Sequence, residues 1–244
     1  MSLIHAPGPL LKVPLLLAHT VCTWRGSTPP RPPPPSEELN RFSNPDSLSV
    51  TMPLQVWLIT VSKWAFCSAS LAEIAVLIAQ NASSPTSSKV LSFLLPNPGA
   101  SLRLTPISAL ACALGIGGGL LRVWCHRTLG KYFTWQVSVQ TEHKLVTSGP
   151  YAIVRHPSYT AWSVMNAGNF LLLLSKGSYV VESGLLRSIW GKAAVFGAIG
   201  YMSFVSYSLI RRVPIEDAVL EKEFGPQWQE WTKRTPYCLI PFVY

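Results

Sequence analysis

Two polar stretches carry the side chains in this sequence that could take part in chemistry. The first is residues 145–162, "LVTSGPYAIVRHPSYTAW", which places His156 among tyrosines and two prolines. The second is residues 211–236, "RRVPIEDAVLEKEFGPQWQEWTKRTP", in which Arg212 and Glu216 are four residues apart. On a helix that spacing puts both side chains on one face. A guanidinium there suits a carboxylate, because its fork offers two parallel hydrogen bonds.

The same residues also have plain structural interpretations. Arg212 and Glu216 could form an i,i+4 ion pair on an amphipathic surface helix. A histidine beside a proline is usually structural, and Arg155 at a helix entrance usually binds lipid headgroups or the backbone. The second stretch predicts a helix with Pro214 in its first turn, where the missing N–H costs little, and a stop at Gly225 and Pro226. Taken singly, none of these residues identifies a function.

The composition predicts that these stretches lie on a membrane protein. Charged residues make up 13% of the 244 residues, about half the roughly 25% of soluble domains, and hydrophobic residues make up 48%. The apolar residues are concentrated in blocks. The net charge of +9 comes mostly from Lys and Arg at the ends of these blocks. That distribution favours topology determinants beside anionic lipid over a nucleic-acid-binding face.

The apolar blocks predict an all-α transmembrane bundle of about five spans with a cytosolic C-terminal helical cap. The first block has an alternative as the core of a signal peptide. A polyproline linker at 28–38 separates it from the second, and 176–188 is predicted as a loop. Lys63 and Glu73 inside the second span are expected to snorkel or to pack against a partner helix rather than to act in catalysis. The predicted spans are 9–24, 54–80, 104–124, 159–175 and 189–210.

Basic residues predict the orientation of the spans. Arg and Lys flank the fourth span and follow the fifth, so both polar stretches are expected on the cytosolic side. The segment 81–102 carries Lys89 alone and is expected on the lumenal side. Asn81 there matches a glycosylation acceptor but lies close to the membrane.

Other motifs do not predict a metal, redox or nucleotide site. The five cysteines fit neither a disulfide framework nor a zinc pattern. The run "GIGGG" at 115–119 lacks the preceding strand and following acidic residue of a dinucleotide fingerprint. Its small residues favour close helix packing instead.

Taken together, the two polar stretches resemble the isoprenylcysteine carboxyl methyltransferase family. The resemblance rests on "LVTSGPYxxxRHPSYxxW" and, after about two spans, "RxxxE[ED]xxLxxxFGxxWxxWxxRxP". It is dense from about residue 122 to 242, with only a compatible pattern of spans upstream. The resemblance implies an integral membrane enzyme of the endoplasmic reticulum that uses S-adenosylmethionine to methylate the C-terminal carboxylate of prenylated cysteine.

The resemblance also implies roles for particular residues. Arg212 is expected to hold the substrate, and Arg212 and Glu216 are the expected catalytic pair. The sequence departs from the family at Asp217, where a second Glu is frequent, and in a short segment between Gln140 and His143. The expected cofactor contacts are Gln140, His143, Lys144, Leu145, Val146, Tyr151, His156, Pro157, Ser158, Tyr159 and Glu216.

The implied organisation has three parts. Residues 1–52 hold the first span and the linker, 53–124 hold transmembrane helices, and 125–244 hold the methyltransferase core. Trp228 and Trp231 are expected at the membrane interface, where they could cap the site. Implied partners are prenylated CaaX-type proteins and membrane lipid, with no nucleic acid and no metal, and the active site is expected to face the cytosol.

Two alternatives remain at the level of the sequence. A related membrane methyltransferase acting on a phospholipid amine or a small thiol shares much of the same pattern. A non-enzymatic membrane scaffold would account for the spans but not for the paired polar motifs.

Overall fold

The structure, a computed structural model, describes residues 8–30, 52–95, 99–135 and 144–244. Most of the predicted polyproline linker, Gln140 and His143 lie outside these residues. Within them the regular secondary structure is helical throughout, which confirms the all-α prediction. The α-helices are α1 (Lys12–Gly26), α2 (Met52–Gln80), α3 (Pro85–Leu94), α4 (Pro106–Leu129), α5 (Pro157–Leu174), α6 (Tyr179–Glu182), α7 (Ile189–Phe224) and α8 (Pro226–Arg234).

Three of the helices in the described residues are long and apolar enough to cross a membrane. They comprise Pro53–Gln80, Pro106–Tyr132 and Ile189–Phe224. The helix α1 has 15 residues, fewer than the roughly 20 that a span needs. The helix α5 has 18 residues, and its amides at Asn166 and Asn169 lower its hydropathy. Five spans therefore remain a prediction.

The structure corrects two predictions about the helix ends. We expected Pro214 in the first turn of a separate helix, but α7 is continuous over 36 residues and Pro214 lies inside it. Proline removes only one N–H from the ladder, the one that would bond the carbonyl of Ile210. The predicted loop at 176–188 contains α6 and a 3₁₀ helix at Leu185–Arg187, because the Ser178 side chain caps α6 by accepting from the Val181 N–H.

The chain divides into two compact units. The first comprises the described parts of Met1–Trp24, Val61–Gly117 and Val164–Met202. Inside it the Lys12 ammonium forms an ion pair with Glu73 and donates to the carbonyls of Arg103 and Gly177. Both side chains of the pair are buried. The expectation that Glu73 packs against a partner helix is thus confirmed.

Small residues let two helices of the first unit approach closely. A Cβ atom added at Gly168 of α5 would lie 2.4 Å from the backbone nitrogen of Gly115 in α4. Gly115 begins the "GIGGG" run, so the structure confirms that this run serves helix packing.

The second unit comprises the described parts of Arg25–Thr60, Gly118–Ser163 and Ser203–Tyr244. It contains both polar stretches singled out in the sequence. Its core is aromatic, with four buried residues joined by partly buried aliphatic side chains. The buried residues are Cys125, Tyr151, Trp228 and Trp231.

Candidate active site

A cavity lies within the second unit, and both polar stretches contribute to its wall. The first stretch supplies polar groups at Arg155, His156 and Ser158, and the second supplies Glu216. Apolar and aromatic side chains form most of the remaining wall. Among them are Ile59, Tyr132, Phe133, Trp135, Leu145, Val146, Tyr151, Trp162, Val205, Leu209, Leu220 and Trp231.

The backbone of the first stretch turns sharply before entering α5. Gly149 has a positive φ of 60°, a conformation that glycine adopts without steric cost, and it begins a 3₁₀ helix that extends to Ala152. Pro157 is the first residue of α5, a position where proline is tolerated because its N–H would be unpaired there anyway. The sequence prediction of a turn followed by a helix entrance is confirmed.

A downstream segment fixes this helix entrance. The backbone N–H groups of Arg155 and His156 donate to the carbonyls of Tyr237 and Cys238, at 2.9 and 2.8 Å. The hydroxyl of Thr160 donates to the carbonyl of Leu239 at 2.7 Å. Residues 237–239 therefore hold the first turn of α5 in place.

Asp217 connects the two polar stretches through its carboxylate. One oxygen lies 2.7 Å from Nε2 of His156, and the other accepts from the guanidinium of Arg155 at 3.1 Å. Arg155 also donates to the carbonyls of Thr235 and Pro236. Of the two structural roles expected for Arg155, at lipid headgroups or at the backbone, the structure shows the backbone one.

Glu216 presents a partly exposed carboxylate to the cavity. Its Oε2 accepts a short hydrogen bond from the hydroxyl of Tyr159 and lies 3.8 Å from Nδ1 of His156. The rings of His156 and Tyr159 stack, with centroids 5.5 Å apart. The Glu216 side chain is 29% exposed, against 5% for His156, so its charge is open to a ligand.

Tyr151 forms part of the aromatic wall. Its backbone carbonyl accepts from the indole N–H of Trp231 at 3.2 Å. Burial raises the pKa of the Tyr151 phenol well above its ordinary value, so the hydroxyl stays protonated at neutral pH. Trp228 and Trp231 were expected at the membrane interface, but both indoles are buried in protein, and Trp231 lines the cavity.

Ser158 is held by a buried cation on α4. The Arg122 guanidinium donates from Nη1 to both the hydroxyl and the carbonyl of Ser158, at 2.8 and 2.9 Å. Arg122 also lines the cavity. The sequence analysis counted it only among the basic residues that orient the spans.

Arg212 takes a different position from the other expected site residues. Its side chain is 3% exposed and does not line the cavity. Its Nη1 donates to the backbone carbonyl of Trp135 at 2.7 Å. Trp135 itself lines the cavity, so Arg212 supports the wall from behind.

The structure thus brings together most of the residues expected from the sequence. Lys144, Pro157 and Arg212 do not line the cavity, and Lys144 is exposed. Gln140 and His143 lie outside the described residues. Sequence analysis missed Arg122, Asp217, Trp135 and the aliphatic wall beyond Leu145 and Val146 as site components. The expected residues that line the cavity are Leu145, Val146, Tyr151, His156, Ser158, Tyr159 and Glu216.

Comparison with known proteins gives a consistent result. Residues 110–190 match the model of the isoprenylcysteine carboxyl methyltransferase family. Protein-S-isoprenylcysteine O-methyltransferase B of Arabidopsis thaliana is 31% identical over 139 residues, which are 56% of this chain and 60% of that protein. A probable protein-S-isoprenylcysteine O-methyltransferase of Oryza sativa subsp. indica is 24% identical over 139 residues, 56% of this chain and 62% of that protein.

A protein with a different name also shares part of the sequence. A Delta(14)-sterol reductase of Mus musculus is 27% identical over 108 residues, 44% of this chain and 22% of that protein. The chain matches less than two thirds of the length of the two plant relatives. The matched region includes the first polar stretch and its helix α5. This region matches the isoprenylcysteine carboxyl methyltransferase family, in agreement with the resemblance noted in the sequence.

Proposed function

We propose that this protein transfers a methyl group from S-adenosylmethionine to the C-terminal carboxylate of prenylated cysteine in a protein substrate. The observation that carries the proposal is the meeting of two distant stretches around one cavity. His156 and Tyr159 come from the family-matched region, and Glu216 comes from α7. His156 and Tyr159 are far from Glu216 in sequence, so an i,i+4 pair within one helix does not explain the contacts of Glu216.

The cavity fits the methyl donor by its chemistry. The exposed part of the Glu216 carboxylate can pair with the donor's ammonium group. Tyr151, Trp231, Leu145 and Val146 offer an aromatic and aliphatic surface for an adenine ring. The buried indole nitrogen of Trp135 finds no acceptor among the residues that the structure describes, so it is a donor available to a ligand. S-adenosylmethionine supplies a methyl group on a positively charged sulfur.

The reaction asks little acid–base chemistry of the protein. A carboxylate is already ionised at neutral pH, so its oxygen can form the new bond to carbon as the carbon–sulfur bond breaks, and the sulfur keeps the electron pair. The protein must align the reactants and exclude water. Glu216 and the stacked pair of His156 and Tyr159 orient the donor. Arg212 acts on the acceptor side of the site, through the Trp135 wall that it supports.

The apolar wall supports a lipid-borne acceptor. Ile59, Val205 and Leu209 line the cavity on helices that include candidate membrane spans. Moving a prenyl chain from the bilayer into water costs about 0.8 kcal/mol per CH₂ group, so entry directly from lipid avoids a large barrier. We place the enzyme in the endoplasmic reticulum membrane, with the site on the cytosolic side where basic residues are concentrated.

A methyl-transfer assay tests this proposal. The full chain, purified in detergent or nanodiscs, is incubated with methyl-labelled S-adenosylmethionine and N-acetyl-S-farnesylcysteine. We expect a base-labile methyl ester, and no label when the acceptor's carboxylate is replaced by an amide. The Glu216→Gln variant should lose activity, whereas Glu230→Gln, at a carboxylate 74% exposed on α8, should keep it.

Two outcomes would contradict the proposal. Label in extracted phospholipid or in a thioether, with none in the ester, would indicate a methyltransferase of different substrate class. No binding of S-adenosylmethionine to the folded protein would remove the methyltransferase function altogether.

A further inference from the structure

Arg122 is a buried charge without a charged partner in the described part of the chain. Its side chain is 5% exposed. Its Nε donates to the carbonyl of Gly26 at 2.8 Å, and its Nη1 donates to the Ser158 carbonyl and hydroxyl. All three acceptors are neutral. Among the described residues no carboxylate lies within ion-pair distance of this guanidinium.

The remaining face of the guanidinium is bounded by the cavity and two aromatic rings. Its central carbon lies 4.8 Å from the ring centroid of Trp162 and 5.9 Å from that of Phe133. Among the described residues, no hydrogen bond uses Nη2 of Arg122. Arg122, Phe133 and Trp162 all line the cavity. Burying a cation is unfavourable unless it gains a counter-charge or a full set of acceptors. Neutral carbonyls supply only part of that compensation.

We propose that Arg122 binds the carboxylate of a ligand in this cavity. The inference rests on the proposed function, which supplies two ligands that carry a carboxylate. One is the methionyl end of the methyl donor, and the other is the cysteine end of the acceptor. A guanidinium that already has Nε and Nη1 fixed presents the N–H donors of Nη2 in a defined direction, where a carboxylate oxygen can accept a charge-assisted hydrogen bond.

Two consecutive residues of α5 contact the two charged groups of the cavity, the guanidinium of Arg122 and the carboxylate of Glu216. Ser158 accepts from Arg122, and the next residue, Tyr159, donates to Glu216. The cavity therefore presents a guanidinium and a carboxylate through consecutive residues. An α-amino acid group complements this arrangement, with its ammonium toward Glu216 and its carboxylate toward Arg122.

Arg212 is the competing candidate for a carboxylate ligand, and the structure separates the two arginines. Arg212 does not line the cavity and donates to the carbonyl of Trp135 behind it. Arg122 reaches the cavity without a change of conformation. A ligand in the cavity can therefore contact Arg122 as it stands, whereas Arg212 would have to move to contact the same ligand.

Paired ligands with and without a carboxylate test the proposal and identify the source of the anion. Binding to the full chain in detergent is measured by calorimetry for S-adenosylmethionine and its decarboxylated form. The second pair is N-acetyl-S-farnesylcysteine and its carboxamide. We expect the wild-type protein to favour the acid about 10- to 100-fold in one pair. Arg122→Gln should abolish that preference while binding the carboxylate-free member as before.

Controls keep the outcome interpretable. Arg187→Gln, at an exposed arginine of the first unit, should retain the full preference. Arg122→Lys serves if the glutamine variant does not fold, and it should lose most of the preference because a single ammonium nitrogen cannot keep the bonds to Gly26 and Ser158 and also reach the ligand.

The proposal is overturned if the wild-type protein binds both members of each pair equally, or if the folded Arg122 variants retain the preference. Wild-type protein that binds the donor but methylates no carboxylate would overturn the proposed function, and the donor pair would still decide the role of Arg122. Failure of the wild-type protein to bind either ligand class would overturn both.

Discussion

Nε2 of His156, just before the first residue of α5, lies 2.7 Å from Oδ1 of Asp217 on α7. A carboxylate only accepts hydrogen bonds, so Nε2 must carry the proton. This bond directs Nδ1 toward Glu216, whose Oε2 is 3.8 Å away. Arg155 holds the other oxygen of Asp217. The orientation of His156 in the cavity is therefore set by Asp217.

Asp217→Asn tests this positioning role. The amide keeps the shape but loses the charge shared with Arg155 and His156, and hydrogen bonds to charged groups contribute about 1.5–3 kcal/mol. We expect methyl-donor affinity to fall about 10- to 100-fold. Nitrogen NMR of His156 should report a change of tautomer, which a general loss of stability would not produce. Asp217→Glu should restore part of the affinity, and an unchanged tautomer in Asp217→Asn would contradict the role.

Tyr159→Phe isolates the hydroxyl that bonds Glu216. The phenyl ring keeps the stack on His156, so the change removes the hydrogen bond to Glu216 and little packing. Without that donor the Glu216 carboxylate loses its fixed orientation, and we expect methyl-donor affinity to fall about tenfold. Calorimetry measures this, with Tyr207→Phe as the control because Tyr207 is 60% exposed. Equal affinities in both variants would show that the hydroxyl has no part in binding.

Gly168→Ala tests the close approach of α4 and α5 in the first unit. The added methyl would lie 2.4 Å from the nitrogen of Gly115, which is backbone and cannot rotate away. Overpacking of this kind costs about 1–3 kcal/mol. We expect a clear fall in the midpoint of thermal unfolding. At Gly117 a Cβ meets nothing within 4 Å, so Gly117→Ala should leave the midpoint nearly unchanged.

The buried pair of Lys12 and Glu73 is suited to a double-mutant test. Lys12→Met leaves the Glu73 carboxylate buried without its cation, a change that typically costs about 3–5 kcal/mol. Adding Glu73→Leu should recover a large part of this loss, because no buried charge then remains. Unfolding in denaturant gives the free energies, and Lys192→Met at an exposed position is the control. If the double variant is as unstable as Lys12→Met, the ion pair does not account for the loss.

Sequence patterns predicted the helices well where a long apolar block was the signal. They failed where an apolar block and a polar stretch lie on one continuous helix. The polar stretch after residue 210 suggested a new helix with Pro214 at its start, yet α7 runs through it. A proline costs a helix one hydrogen bond and a local steric conflict, and the contacts of Val213 and Glu216 on either side evidently outweigh that penalty.

The site was predictable in outline but not in its connections. The resemblance to the methyltransferase family implied His156, Tyr159 and Glu216, because these residues lie within its recognisable motifs. Nothing in the local sequence indicated that Asp217 bonds His156, since the two residues are 61 positions apart. Arg122 was missed for a different reason. A cation at the end of an apolar block normally faces lipid headgroups, and only the fold shows that this one is turned inward.

The bonds from residues 237–239 to the start of α5 bear on how the protein is made. They join positions about eighty residues apart in sequence. The contacts that hold the cavity wall at His156 therefore cannot form during synthesis until residues 237–239 have left the ribosome. Until then, the start of α5 lacks the hydrogen bonds that hold it in place. A stop codon before residue 237 would remove these bonds, and the entrance of α5 would then lack the segment that holds it.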